Sequence, residues 1–220
     1  MPTMRAAEVW PRVAAERVAL ADELEALAPA DWDAASLCAG WRVRDVVGHL
    51  VYLGEGTYRG LACDIVRHGR GVLPNRMLDA MAKRTAQAEP AELVERLRAA
   101  ADGRFRAPGA PPAASLAEVI VHGQDIRRPL CLPAPERDPE SLIPLLTLYR
   151  RIGVYFTRSG SYGVRLVATD VDWSAGSGKE VHGPALGLLV ALAGRPPAPG
   201  ELEGPGAETL RARTRSTPAG

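Results

Sequence analysis

Apolar residues recur at three- and four-residue intervals through most of the first 157 positions, and that rhythm constrains the chain more than any other feature, because it is the period of helices that each bury one face. Val13, Val18, Leu20, Leu24 and Leu27 predict an amphipathic first helix from about Trp10 that ends before Pro29. Residues 30–40 read as a loop. A second helix is predicted from Val43 to Val66, with the glycines at 69 and 71 as its stop. Gly48, Gly54 and Gly56 fall inside it, each costing about 1 kcal/mol relative to Ala, so an unbroken helix there requires a close neighbour or ligand that needs the room. Further helices are predicted over 77–88, over 92–105 after Pro90, over 116–128 opened by Ser115, and over 139–157 despite Pro144.

After Gly160 the texture changes. Val164, Leu166 and Ala168 alternate with Arg165, Val167 and Thr169 as in a short strand, a turn-rich stretch follows over 170–178, and 184–192 reads as a last helix. The remainder is rich in Pro and Gly, with room for a short strand near 209–213. The expected organisation is therefore a helical domain over 1–160, a small α+β segment over 161–215 packed on it, and a disordered tail over 216–220. No internal repeat is visible.

At 220 residues the chain can bury a full core without staples. Cys38, Cys63 and Cys131 are odd in number and widely spaced, which argues against a disulfide framework or a structural zinc knot and suits reduced thiols. The formal net charge of +1 comes from scattered acids and bases without a basic block, so nucleic acid is not an expected partner. Arg5 and Glu8 interrupt any signal-like run, and no stretch reaches the roughly 18 apolar residues of a membrane span. A cytoplasmic location and no membrane partner are expected. Ala, Arg, Gly and Pro exceed Lys, Asn and Ile, as in proteins of GC-rich genomes.

Four histidines are present, and two fall where imidazole is costly unless paired. His49 shares a helical face with Val46 and Leu53. Glu118 and His122 stand four residues apart, one turn of one helix face. Two ligands from one helix and a third from a facing helix can build a metal site in a bundle core, and two imidazoles with one carboxylate suit zinc while leaving a coordination position open. Asp45, one turn before His49, and Asp125, three residues after His122, are placed to steady a ligand ring from behind. Blander readings remain open. Ser115-Leu116-Ala117-Glu118 also fits a capping box, in which Glu118 only closes a helix start, and His49 also fits a hydrogen-bonded core histidine. His68, His182, Cys38, Glu55 and Asp64 receive no role, and neither a phosphate-binding Gly-rich loop nor a G-x-S-x-G elbow is found.

The run Leu37-Cys38-Ala39-Gly40-Trp41-Arg42-Val43-Arg44-Asp45-Val46-Val47-Gly48-His49-Leu50 resembles the C-x-G-W-x-V-x-D-x-x-x-H-L signature of the actinobacterial maleylpyruvate isomerase-like family, mycothiol-dependent relatives of DinB proteins. Glu118-Val119-Ile120-Val121-His122-Gly123-Gln124-Asp125-Ile126-Arg127-Arg128-Pro129 resembles its E-x-x-x-H-x-x-D-x-R-x-P helix, and Ala168-Thr169-Asp170, Trp173, Gly183-Pro184 and Leu192-Ala193-Gly194-Arg195 resemble its carboxy-terminal segment. The resemblance implies a mainly α fold, a DinB-like four-helix bundle with a small α+β C-terminal segment, and zinc held by His49, Glu118 and His122. It also implies a catalytic arginine near the substrate, best matched by Arg195. Arg42 stands where members carry Ser or Thr, and the C-terminal segment reads as shorter than the isomerase's appended domain.

The expected chemistry is that of an enzyme whose metal activates a low-molecular-weight thiol, mycothiol, for S-transfer to a small electrophile or for its cis–trans isomerisation. Arg195, Arg127 or Arg128 would hold a substrate carboxylate. The partners are then a small thiol and a small electrophile, in a monomer or homodimer. Two other classes fit the same residues: a metal-dependent hydrolase using bound water, which would need no thiol, and a non-catalytic metal- or ligand-binding protein.

Overall fold

The computed structural model describes residues 4–68, 74–156 and 162–215; the predicted helix stop at 69–71 and the tail at 216–220 lie outside them. The chain divides into two compact units, Arg5–Leu132 and Pro133–Pro218, so the helix that follows residue 142 is grouped with the strands, not with the preceding helices as the 160/161 boundary would have it.

The first unit is all helix. Helix α1 (Ala6–Glu25) buries Val9, Val13, Leu20, Ala21 and Leu24, the stripe that its sequence predicts, and also Arg17. Helix α2 (Val43–Glu55) buries nearly every residue from Val43 to Val51. Helix α3 (Tyr58–His68) follows, then α4 (Pro74–Thr85), α5 (Pro90–Ala99) and α6 (Pro112–Arg127). Helix α2 packs on α4, α5 and α6, and α1 packs on α5 and α6. A 3₁₀ turn at Pro29–Asp33 seats Trp32 in the core.

The single helix predicted from Val43 to Val66 is two helices. Gly56 ends the first, with the Phe105 ring against the position a side chain would take, and Thr57 starts the second by accepting a bond from the Gly60 amide at 3.0 Å. The interior glycines have the reason the sequence demanded. A Cβ on Gly48 would lie 2.5 Å from the Ala82 carbonyl oxygen and 2.9 Å from the Ala86 nitrogen, so α2 and α4 touch backbone to backbone there. Gly48→Ala is therefore expected to destabilise by about 1–3 kcal/mol, against a helix-propensity gain of about 1 kcal/mol; a urea midpoint equal to or above the wild type's would refute that close approach.

In the second unit, Pro139–Leu142 forms a 3₁₀ turn and α7 spans Ile143–Phe156. Pro144 lies in its first turn, where no amide is needed. Strand β1 (Val164–Ala168) turns Val164, Leu166 and Ala168 inward as predicted. It pairs antiparallel with β2 (Ser174–Gly176), which lies in the stretch read as turns, and parallel with β3 (Lys179–Gly183), giving the order β2-β1-β3. Helix α8 (Ala185–Leu192) matches the predicted last helix and packs on α7. The strand expected near 209–213 is instead helix α9 (Ala207–Arg215): Ala207, Leu210 and Thr214, three and four apart, are buried, and Ala, Glu, Leu and Arg are good helix formers. Among the described residues, no helix is long and apolar enough to cross a membrane.

Candidate metal centre

Helices α2 and α6 pack face to face in the first unit and bring His49, Glu118 and His122 together. One ligand-capable atom of each lies within 4.8 Å of the other two. His49 Nε2 stands 3.8 Å from Glu118 Oε1, too far for a hydrogen bond, and the two imidazole rings meet edge to face with centroids 4.9 Å apart.

The start of α6 decides between the two readings of Glu118. The helix opens at Pro112, three residues before Ser115, and Ser115 is buried within it. Ser115 is therefore no cap, and Glu118 projects from the second turn toward His49. Its side chain is 41% exposed. Burial pushes its carboxyl up, but the facing His49 imidazole and the charges of His122 and Arg17 outweigh that and hold it below the ordinary carboxylate range. The sign follows: its charge supports folding above the ordinary carboxylate range, and that support is lost only as pH falls through the lowered value.

Asp125, fully buried, sits 2.9 Å from His122 Nδ1 through Oδ2. A carboxylate there accepts the Nδ1 proton and leaves the Nε2 lone pair for a ligand. Asp45 has other work. Its Oδ2 accepts from the Arg42 amide at 2.9 Å and its carboxylate also takes the Arg42 guanidinium, so it closes the start of α2 where Arg42 itself cannot accept. His49 Nδ1 is buried without a hydrogen-bond partner. An interior imidazole whose Nδ1 finds no hydrogen-bond partner is not the fully satisfied core histidine of the blander reading, and it fits a ring held by its other nitrogen.

Arg195 lies just past α8 in the second unit, its Nη1 donating to the Ala193 carbonyl at 2.7 Å. Arg127 is not available for a substrate carboxylate. It is 1% exposed and gives both Nε (2.6 Å) and Nη2 (3.0 Å) to Glu23 of α1, while Arg128 gives Nε to Gln124 of its own helix.

Three site neighbours went unassigned in the sequence. Trp41 lies against both imidazoles, stacked on His122 at 6.3 Å and tilted on His49 at 5.2 Å, and its Nε1 donates to Asp79 of α4 at 2.7 Å. Arg17 of α1 donates through Nη1 to the carbonyls of Ala100, Ala101 and Gly103, closing the C-terminal end of α5; its signal was a charge spaced by four from Val13 on an otherwise apolar stripe. Tyr52 of α2 donates its hydroxyl to Asp64 of α3 at 2.8 Å, and burial together with that bond raises its pKa to about 12.

Helices that converge two histidines and a glutamate, followed by a small α+β unit, define the class as DinB-like. Within it, residues 13–117 match the model of the mycothiol maleylpyruvate isomerase N-terminal domain. Two solved structures share the fold: the mycothiol-dependent maleylpyruvate isomerase and a histidine-to-alanine mutant of it, each with a TM-score of 0.61 and 15% sequence identity. In both comparisons 94% of this chain aligns with 97% of that one, so the C-terminal segment is not shorter than the isomerase's, as its sequence suggested. No curated protein matches the chain.

Proposed function

We propose that His49, Glu118 and His122 hold one divalent metal, zinc by the donor set, and that the protein is a cytoplasmic enzyme using mycothiol for S-transfer to, or cis–trans isomerisation of, a small electrophile. The observation that carries the reading is the three ligand-capable atoms within 4.8 Å of one another, with His49 Nδ1 left without a hydrogen-bond partner and His122 oriented by Asp125. The thiol comes from the family, whose solved member is described as mycothiol-dependent.

When bound, a metal at such a site deprotonates a coordinated thiol at neutral pH. This chain's residues would do the rest. Asp125 holds the proton on His122 Nδ1 and fixes that ring's direction, Glu118 supplies the negative charge, and Trp41 walls the two imidazoles. The thiolate sulfur then adds to an electrophilic carbon. If the adduct's former double bond rotates and the thiol leaves, the outcome is isomerisation; if the carbon–sulfur bond persists and another group departs, it is transfer. A role for Arg195 in holding a charged part of a substrate rests on its match to the family's carboxy-terminal motif.

The test is turnover of an electrophile panel by protein purified without chelator, with and without added mycothiol, beside elemental analysis of the same sample. About one zinc per chain and product formed only with the thiol are expected. Turnover at equal rate without thiol would replace this reading with hydrolysis by bound water, and absence of metal would replace it with a non-catalytic binding role.

A further inference from the structure

Within the first unit, His49 and Glu118 also line a cavity of about 390 Å³, inside the range of roughly 300–1,000 Å³ typical of small-molecule sites. Apart from those two and Tyr52, the described residues lining it are apolar, Leu61, Ile65, Met77, Leu78 and Phe105 among them, and none of the described lining residues is Lys or Arg. Of the polar groups near it, Glu118, Tyr52 and Arg17 offer an anion little. Glu118 is itself a carboxylate. The Tyr52 hydroxyl is committed to Asp64, whose other oxygen has Arg84 Nη2 3.9 Å away. The nearby cation of α1, Arg17, acts on Glu118 and has Nη1 tied to three carbonyls. A carboxylate lying against those apolar walls loses its water and gains no counter-charge from them, whereas an alkyl or aryl group gains from every apolar surface it covers.

We infer that this cavity is the electrophile's subsite and that it takes an uncharged, apolar body, alkyl or aryl, with the electrophilic carbon presented at the His49–Glu118 wall and any carboxylate kept outside. The inference rests on the thiol-transfer reading for what the ligand is, but not for whether the cavity discriminates. Within it, small dianionic acids are poor occupants and neutral aryl or alkyl electrophiles are good ones.

The test is binding of a matched pair, methyl cinnamate and cinnamate, to the protein as purified and to His49→Ala, by calorimetric titration. The variant is included because an anion held by a metal cannot enter its comparison. The ester is expected to bind at least about tenfold tighter than the acid in His49→Ala. Ile65 is 49% exposed, so Ile65→Arg places a cation at the rim without burying it, and it is expected to narrow or invert the preference. Ala107, an exposed lining residue, gives a second variant: Ala107→Trp should weaken the ester by filling the space. Acid binding as tight as ester in His49→Ala, or no ester binding at millimolar concentration, would overturn the inference. The outcomes separate from those of the function test, since an ester preference that persists in a protein with no metal and no thiol-dependent turnover would defeat the chemistry and leave the subsite standing. Thiol-dependent turnover without ester preference would do the reverse.

Discussion

His49→Ala is expected to reduce bound zinc from about one ion per chain to about a tenth or less while leaving unfolding of the metal-free protein within about 1 kcal/mol of the wild type. Both halves follow from the same geometry. His49 is 4% exposed, and its Nδ1 has no hydrogen-bond partner, so its removal takes a neighbour only from Glu118, whose side chain is 41% exposed and can turn to water, and the loss of packing is offset by the loss of an unsatisfied polar atom. Its Nε2 faces Glu118 across 3.8 Å, and without it a three-ligand site has only α6 to offer. Asp125→Asn gives a graded companion: His122 keeps its place but loses the carboxylate that fixes its proton, and zinc affinity is expected to fall about 10–100-fold. Elemental analysis with a chelator-competition titration reads both. Zinc at wild-type level in His49→Ala would sink the metal centre.

Glu23→Ala is expected to lower the free energy of unfolding by about 3–5 kcal/mol, the largest single loss predicted for a residue outside the site. Arg127 is buried at the α1–α6 contact and gives two parallel bonds to the Glu23 carboxylate. Truncating the acid leaves a guanidinium in the core with no counter-charge. Replacing both at once, as Glu23→Leu with Arg127→Met, is expected to cost far less than the single change, because both charges then disappear and apolar atoms fill their space. Urea unfolding of the three proteins decides it; a single variant that loses under about 1 kcal/mol would mean that solvent screens the pair. Because α1 also carries Arg17, the single change is further expected to loosen the helix that supplies Glu118 with one of its nearby charges.

Much of the helical unit and the core of the site were legible before any coordinates. The spacing of Val13, Leu20 and Leu24 named the buried face of α1, and the alternation around Leu166 named the inward side of β1. Four residues between Glu118 and His122 placed them one turn apart on one helix, because side-chain direction along a helix is fixed by its pitch. Where the reading failed, the missing information was a partner from elsewhere in the chain. Continuity from Val43 to Val66 broke at Gly56 because the Phe105 ring, forty-nine positions on, occupies the space beside it. Arg127 matched the family's arginine by position, and only the approach of Glu23 from α1 shows that it is a buried structural pair. Residues 209–213 alternate too briefly to distinguish strand from helix, and burial of Leu210 with Thr214 resolved them.

The sequence by itself thus determined the helical period, the pair Glu118 and His122 on one face, and the family signature around Trp41 and His49, all properties of local spacing. Tertiary structure alone decided that α6 begins at Pro112, so that Glu118 faces His49 instead of capping a helix. It also decided that Asp125 and not Asp45 engages one of the two clustered imidazoles, and that hydrocarbon from α2, α3, α4 and the loop after α5 walls the space beside the cluster. Local spacing fixes which way a side chain leaves its own helix; what it meets there depends on chain folded back from tens of residues away, and no local pattern encodes that distance.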